Sequence, residues 1–355
     1  MTSAPCAARL ASVALLLFAC SKEPPAPAPA AKKHEAPGAA TSATAPLRVA
    51  YSDWPGWVAW EIAIQKGWFA EEGVAVDFKW FEYVPSMEAY SAGKVDAVTM
   101  TNGDMLVTGA SGAKSVAILI NDYSNGNDMV VAQPAIKSVA ALKGKQVGVE
   151  VGFVSHLLLI KALESAGLKD TDVQLVNVPT DQTPQLLRAG EVSAIVAWQP
   201  NSGQALKEAA GSHPVYTSAD APGLIYDLLC VSPKSLSERR ADWSKVAKVW
   251  FRIADYLQKP ENLDEAAKIM AARVGMEPSA YRPLIGGTRF LGLSDNRARF
   301  KKGDSLESLH HSTEVVDAFQ AKNGIYKSKV AFAEYLDGSL VAELPESAPT
   351  GLVAK

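Results

Sequence analysis

The stretch LRVAYSDW, residues 47–54, decides the fold because a second stretch of the same kind, KQVGVEVG, follows at residues 145–152. Each begins a series of short β-branched runs that alternate with longer segments of helical period closed by glycine. Gly93 and Gly190, which close corresponding segments, lie 97 residues apart. The repeat predicts strand–helix–strand–helix–strand twice, and therefore an α/β fold of two lobes, each built on a mostly parallel sheet.

Two short apolar runs that end in proline bracket the second copy, NDMVVAQP at 127–134 and LLCVSP at 228–233. They predict that the chain leaves lobe 1, builds lobe 2 and returns, so that two strands cross between the lobes. The predicted domains are 47–132 plus 231–345 for lobe 1, 133–230 for lobe 2 and 346–355 for a tail. Such a double crossing is typical of a hinged clamp that closes around a ligand.

The first 46 residues differ in composition from the rest of the chain. An apolar run, LASVALLLFA at 10–19, is too short to span a bilayer but has the length of a signal-peptide core, and it ends at Cys20 in a motif that resembles a lipobox. We predict a signal peptide at 1–19, a lipidated Cys20 and a disordered Ala/Pro tether to residue 46. Secretion without a lipid is the alternative. Ser21 favours the outer membrane slightly over the inner one.

The composition excludes several classes of function. The 35 basic and 38 acidic residues give a net charge of −3, which offers no electrostatic basis for binding nucleic acid. Cys230 is the one thiol after Cys20, so neither a disulfide framework nor a cysteine metal site is expected. The chain also lacks a G-x-S-x-G elbow, a phosphate-binding glycine loop and an H-E-x-x-H motif. We predict no catalytic residues, no cofactor and no metal.

Five segments in order carry a family resemblance: WEIAIQKGWFAEEGVAVDFKWF, AGKVDAVTMTNGD, DYSNGNDMVVA, LKGKQVGVEVGFVSHLLLIKALESAGL and GEVSAIVAWQP. Over roughly residues 47–345 the chain resembles the periplasmic solute-binding proteins of nitrate, sulfonate and taurine ABC importers, a superfamily that includes pyrimidine-precursor binders. The resemblance implies a bilobed type II periplasmic-binding-protein fold, a monomer, and an ABC permease with its ATPase subunits as partners. An enzyme that makes a pyrimidine precursor and a sensory lipoprotein are the alternatives from other classes.

Ligands of open α/β sheets bind beyond the carboxyl ends of the strands. This rule selects six loops, at 52–57, 101–105, 121–128, 150–156, 198–201 and 223–227, which are rich in acids and aromatics and contain no Lys or Arg. The predicted ligand-binding residues are Asp53, Trp54, Trp57, Asn102, Asp104, Asp128, Glu150, Phe153, Trp198, Gln199 and Asp227. Two of these acids have a structural alternative, since Asp53 could cap a helix and Asp227 could belong to a hinge.

The charge of these loops bears on the ligand. Anion sites use backbone amides at helix N-termini, hydroxyls or arginine, whereas Glu150 and Phe153 stand at the helix entry of the second copy. A carboxylate there is expected to cap the amides itself and to repel an anion. Acids with aromatic walls suit a cation. The sequence therefore favours a small cationic, amine, guanidinium or pyrimidine-like solute, with a sulfonate, taurine or nitrate as the alternative.

Other conspicuous residues are expected to be structural. Trp60, Ile64 and Trp68 follow one another at intervals of four residues and predict a core-facing stripe of a helix. Asp96 is expected to order a turn.

Overall fold

A computed structural model of the protein describes residues 45–327 and 330–346. The predicted signal peptide, the predicted lipidation site Cys20, all but the last two residues of the tether and nearly all of the tail lie outside the described residues. No helix within the described ranges is both long enough and apolar enough to cross a membrane.

The described residues form eleven strands and fifteen α-helices. The strands are β1 (Leu47–Tyr51), β2 (Val76–Trp80), β3 (Ala97–Thr101), β4 (Val116–Ser124), β5 (Met129–Ala132), β6 (Gln146–Val149), β7 (Gln174–Asn177), β8 (Ala194–Ala197), β9 (His213–Thr217), β10 (Tyr226–Val231) and β11 (Thr288–Phe290). The helices are α1 (Pro55–Val58), α2 (Trp60–Lys66), α3 (Trp68–Glu71), α4 (Tyr83–Ser91), α5 (Asn102–Ala110), α6 (Val154–Ser165), α7 (Thr183–Ala189), α8 (Asn201–Glu208), α9 (Pro233–Glu238), α10 (Arg240–Leu257), α11 (Leu263–Val274), α12 (Pro278–Gly286), α13 (Leu293–Arg299), α14 (Leu309–Lys322) and α15 (Ser339–Glu343).

The strands form two sheets whose orders correspond over five strands when sheet 2 is read in reverse, and sheet 1 has β11 as an additional edge strand. Sheet 1 has the order β11-β4-β10-β3-β1-β2, and sheet 2 has the order β7-β6-β8-β5-β9. In each sheet the first strand of the repeat pairs in parallel with the second and the third. The two copies therefore fold alike, and the predicted α/β architecture with two sheets is confirmed; the sheets are mixed, with parallel pairing among the three strands of each repeat copy and antiparallel pairing at the other strands. The equivalent Gly93 and Gly190 both adopt φ near +70°, a backbone conformation that glycine takes at little cost.

Each sheet also contains a connecting strand of reversed direction, and these two strands correct the predicted domain boundaries; the edge strand β11 of sheet 1 is reversed as well. We predicted that residues 129–132 belong to lobe 1, but β5 pairs antiparallel with β8 and β9 in sheet 2. Conversely, β10 pairs antiparallel with β3 and β4 in sheet 1, although we placed residues 226–230 in lobe 2. The chain thus passes between the sheets at 125–128 and 218–225. Each connecting strand completes the sheet that it enters, because there it satisfies the backbone groups of both neighbours.

The segment after residue 234 is helical, as predicted, and packs on sheet 1. Trp250 of α10 lies 4.8 Å from Trp60 between ring centroids, and both indoles are fully buried. The predicted stripe is interrupted, however. The left-handed residue Gly67 ends α2, so Trp68 starts a new helix, and Ile64 is 39% exposed instead of buried. Asp96 binds both the backbone and the guanidinium of Arg48, which confirms its structural role.

Candidate functional site

A narrow pocket lies where loops of both sheets meet. Its cavity volume is ≈ 10 Å³, about enough for one water molecule, so the two sets of loops are closed upon each other. The walls combine aromatic, aliphatic and acidic side chains with one threonine: Trp54, Trp57, Tyr83, Thr101, Asp128, Val154, Trp198, Ile225 and Asp227. No Lys or Arg lines this pocket in the described part of the chain.

Three aromatic rings stand in contact around the pocket. Trp57 and Tyr83 stack with centroids 5.2 Å apart and planes inclined by 26°. Trp198, which comes from the other sheet, meets Tyr83 edge-on at 5.3 Å and 77°. The Nε1 of Trp57 is buried and has no hydrogen-bond partner among the described residues. The pocket therefore offers flat π faces and one free indole donor.

Asp53 connects the two halves of the pocket. Its carboxylate accepts hydrogen bonds from Trp198 Nε1 at 3.2 Å and from Asn201 Nδ2 at 3.0 Å. Asp53 follows β1 of sheet 1, whereas both donors follow β8 of sheet 2. The helix-capping alternative for Asp53 does not apply, because Trp54 is the N-cap residue of α1 and no side chain caps that helix.

Asp104 lies in the first turn of α5 and interacts with Tyr83, Thr101 and Val154. Its Oδ2 accepts a hydrogen bond from Tyr83 Oη at 2.6 Å, and its backbone N–H is bound by Thr101 Oγ1 at 3.1 Å. The backbone of Val154, at the start of α6, also favours the ionised form. Oδ1 of Asp104 is buried without a hydrogen-bond partner among the described residues.

We expected Glu150 to cap α6, but that carboxylate accepts from Thr180 Oγ1 at 3.0 Å, and no side chain caps the helix.

A second acidic group lies on the strands of sheet 1. Asp122 of β4 and Asp227 of β10 stand opposite each other in the antiparallel ladder, and their side chains are within hydrogen-bonding reach. Trp54 Nε1 donates to Asp122 Oδ1 at 3.0 Å. A Cβ on Gly56 would lie 1.9 Å from Asp122 Oδ2, so only glycine permits this close approach. The Oδ2 atoms of Asp122 and Asp227 are buried and accept from no donor in the described residues.

Six acids of this region share one perturbation: burial disfavours the charged form and is the largest cause of a raised pKa in each. It raises the pKa to about 6 for Asp53 and Asp104, to about 7 for Asp122, Asp128 and Glu150, and well above the ordinary value for Asp227. Neighbouring carboxylates further raise the pKa of Asp53, Asp122, Asp128, Glu150 and Asp227, and no basic side chain is among the main influences. The site therefore concentrates carboxyl groups that have no basic partner among these influences.

The predicted ligand-binding residues fall into three groups. Those that line the pocket are Trp54, Trp57, Asp128, Trp198 and Asp227. Those that belong to the acidic surroundings of the pocket are Asp53, Asp104 and Glu150. The third group lies outside the pocket lining: Asn102 makes internal hydrogen bonds, Phe153 packs against the core, and Gln199 packs beside Gly203 with its Oε1 buried and unpartnered among the described residues. Asn102, for example, donates to Ser312 Oγ and accepts from the backbone of Tyr226, which ties α5 to α14 and β10.

Sequence reasoning missed Tyr83 and left Asp122 out of the predicted set. Tyr83 follows β2, a parallel strand whose carboxyl end lies at the same edge as those of β1 and β3, so the same loop rule could have found it. Asp122 falls in the segment 121–128 that the loop rule selects, but β4 continues to Ser124 and holds Asp122 opposite Asp227.

Comparison with known proteins gives the family and the fold. A binding protein of Brucella abortus (strain 2308) is 31% identical over 186 residues, which are 52% of this chain and 57% of that protein. The match thus spans little more than half the length of this relative.

Among solved structures, the aliphatic sulphonate binding protein SsuA from Escherichia coli superposes on 84% of this chain over 99% of its own length. The TM-score is 0.69 and the sequence identity is 20%. The desulfurization enzyme DSZB superposes on 83% of this chain over 98% of its own length. The TM-score is 0.59 and the sequence identity is 15%. These two structures establish a fold that binding proteins share with at least one enzyme. The profile of the NMT1-like family matches residues 40–271, and the chain belongs to that family, with the fold of the periplasmic binding proteins of sulfonate- and nitrate-type ABC importers.

Proposed function

We propose that this protein is the solute-binding component of an ABC importer and that its solute is a small cation that carries amine, guanidinium or pyrimidine-like donors. The observation that carries the proposal is the pairing of aromatic walls with acids and the absence of Lys and Arg from the lining among the described residues. Cations bind such sites through charge-assisted hydrogen bonds and contact with π faces.

Three unused acceptors support a ligand rich in donors. Oδ1 of Asp104 and the Oδ2 atoms of Asp122 and Asp227 are buried without a donor among the described residues. Leaving a charged acceptor buried and unpaired is costly, and a ligand that supplies N–H groups removes this cost. The free Nε1 of Trp57 adds one donor, so the favoured ligand also carries an acceptor, as an aminopyrimidine does.

A simple oxyanion fits these surroundings poorly. Above pH 7 an oxyanion would be repelled by ionised carboxyl groups such as those of Asp122 and Asp128. The free indole N–H of Trp57 is a single donor set against this repulsion. The likeness to SsuA does not alter this assessment, because at 20% identity it establishes the fold and not the ligand.

A binding screen tests the proposal. Thermal shift and calorimetry on the purified protein at pH 8 compare guanidines, amines and aminopyrimidines with methanesulfonate, taurine and nitrate. We expect stabilisation by members of the first group. Binding of the anions alone would overturn the cationic ligand and leave a solute receptor standing, whereas chemical conversion of a bound compound would show an enzyme.

Closure of the two sheets around the solute is part of the proposed mechanism. Asp53 already joins loops of both sheets, and the pocket has room for little more than a water molecule, so the described conformation corresponds to the closed form. A solute enters an open form, the loops close over it, and a monomeric receptor presents the closed form to a membrane permease with its ATPase subunits. Co-purification with a permease encoded nearby would separate transport from a sensory role.

We also propose that the receptor works in the periplasm on a lipid anchor at Cys20, with the outer membrane favoured over the inner. The support is the short apolar run that ends at Cys20 and the Ala/Pro segment after it. In cells that express the protein, Cys20→Ala should move it from the membrane fraction to the soluble periplasmic fraction. Membrane association that survives this substitution would contradict the anchor.

A further inference from the structure

The pair formed by Asp122 and Asp227 has no role in the fold that requires two carboxyl groups. The residues are direct ladder partners of β4 and β10, and both are almost wholly buried, at 0% and 2% exposure. Like charges placed opposite each other in a sheet are destabilising, and in a buried position the effect is larger. Two buried carboxyl groups within hydrogen-bonding reach avoid it by holding one proton between them.

The hydrogen bonds of the pair leave one oxygen of each carboxyl group free to share that proton. Asp122 Oδ1 is occupied by Trp54 Nε1, but the Oδ2 atom of each acid has no donor among the described residues. A proton on Asp227 turns that residue into a donor toward Asp122 and satisfies both side chains. Gly56 holds the arrangement open, because its missing Cβ is the space that Asp122 occupies.

The groups that face the pair cannot neutralise it. Asp128, directly before β5, acts on both members, and Asp104 of α5 acts on Asp227; both are acids. Asp227 also lines the pocket, so a bound solute comes into contact with it.

We propose that the Asp122–Asp227 pair holds one proton in the solute-free protein and releases it to the solvent when a cation binds. The inference rests on the proposed function. Asp227 changes from a carboxylic acid to a carboxylate, the cation takes over as the donor to both acids, and the proton goes to the buffer. The net charge of the closed site stays the same. Uptake of the cation is therefore an exchange of one positive charge for another, which limits the cost of closing the site over an ion.

At pH 8.5 proton release from the pair can be measured separately from the ionisation of the other acids of the site. The pKa is about 6 for Asp53 and Asp104 and about 7 for Asp128 and Glu150, so these acids are largely ionised at pH 8.5. The pKa of Asp227 lies well above its ordinary value, because burial and the nearby Asp122 both disfavour a second charge. Among the carboxyl groups of the site, the pair is then the remaining source of a proton at pH 8.5.

Calorimetry with methylguanidinium, which is charged at every accessible pH, measures the exchange. Titrations at pH 8.5 in two buffers of different ionisation enthalpy give the number of protons released per cation bound. We expect about one for the wild type and about zero for Asp227→Asn, and the wild-type affinity should rise by up to about tenfold per pH unit. Asp304→Asn, at an exposed acid outside the pocket, should behave as the wild type.

A second measurement does not depend on the ligand. Infrared difference spectra of the solute-free protein at pH 8.5 should show a protonated carboxyl band that Asp227→Asn removes and Asp304→Asn keeps. Binding of methylguanidinium without proton release, or release that persists in Asp227→Asn, would overturn the exchange and leave the proposed function intact. Failure of methylguanidinium and of every other cation in the screen to bind would overturn both.

Discussion

Asp53 and Trp198 join the two sheets through a hydrogen bond of 3.2 Å from the indole Nε1 to the carboxylate Oδ1. Asp53 follows β1, the first strand of the repeat in sheet 1, and Trp198 follows β8, the third strand of the repeat in sheet 2. The bond therefore exists only when the two sheets are closed on the pocket, and it connects closure to the same acids and aromatics that line the site.

Replacing this contact should weaken closure and leave the pocket walls nearly intact. Trp198→Phe removes the donor but keeps an aromatic ring against Tyr83. A hydrogen bond to a charged group contributes about 1.5–3 kcal/mol, so we expect the dissociation constant for a bound cation to rise roughly tenfold or more. Calorimetry measures the affinity, and small-angle scattering measures the closed fraction in the presence of solute. Trp80→Phe, at a tryptophan outside the pocket, is the control; equal effects of both substitutions would contradict a role in closure.

Neutralising Asp104 should damage cation binding severely. The side chain keeps its bond with Tyr83 but loses the charge that faces the pocket region. Removal of one partner of a buried charge pair costs about 2–5 kcal/mol, so Asp104→Asn should weaken binding by about 30-fold or more. Glu150→Gln should have a smaller effect, because Thr180 already binds that carboxylate. The exposed Glu261→Gln serves as control, and an unchanged affinity in Asp104→Asn would show that this acid does not meet the ligand.

A single methyl group at Gly56 should disable the site. The added Cβ would lie 1.9 Å from Asp122 Oδ2, which forces the carboxylate away from Trp54. We expect Gly56→Ala to abolish measurable cation binding while the far-ultraviolet circular dichroism spectrum stays that of a folded protein. Gly286→Ala is the matched control, because a Cβ there meets no atom within 4 Å among the described residues. Full binding by Gly56→Ala would exclude Asp122 from the site.

The buried acids also predict how stability depends on pH. The pKa of Asp128 is raised by burial from its ordinary value near 3.8 to about 7, so the folded protein holds a proton that the unfolded chain has released. The stabilisation is complete below pH 3.8 and is lost as the pH rises toward 7. Asp128→Asn should therefore raise the free energy of unfolding by a few kcal/mol at pH 8 and change it little at pH 4. The upper limit is about 1.4 kcal/mol for each pH unit that separates the pKa of the folded protein from that of the unfolded chain.

Thermal unfolding of the wild type, Asp128→Asn and Asp304→Asn at several pH values checks this expectation. Asp304 is exposed, so its substitution should leave the pH profile unchanged. A parallel pH profile for the wild type and Asp128→Asn would show that Asp128 is ionised in the folded protein at every pH tested.

The repeat predicted most of the fold because strand and helix periods are local properties. Where the chain changes sheets is not local: Met129–Ala132 and Tyr226–Val231 each read as a buried strand, and only the ladders decide which sheet receives them. The site residues likewise divide into those that local sequence predicts and those whose role depends on distant contacts. The strand-end rule found Trp54, Trp57 and Asp227, but whether an amide such as Asn102 faces a pocket or Ser312 depends on a helix more than 200 residues away.

The charge of the solute is the central claim, and the pH dependence of binding tests it most directly. Calorimetry at pH 5.5 and pH 8 should use the tightest cation of the screen and methanesulfonate. Six acids in the site lose protons over this interval or above it, so we predict that the cation binds at least about tenfold more tightly at pH 8 and that methanesulfonate gives no binding heat. Binding of methanesulfonate that weakens from pH 5.5 to pH 8, with no binding of the cation, would contradict the account.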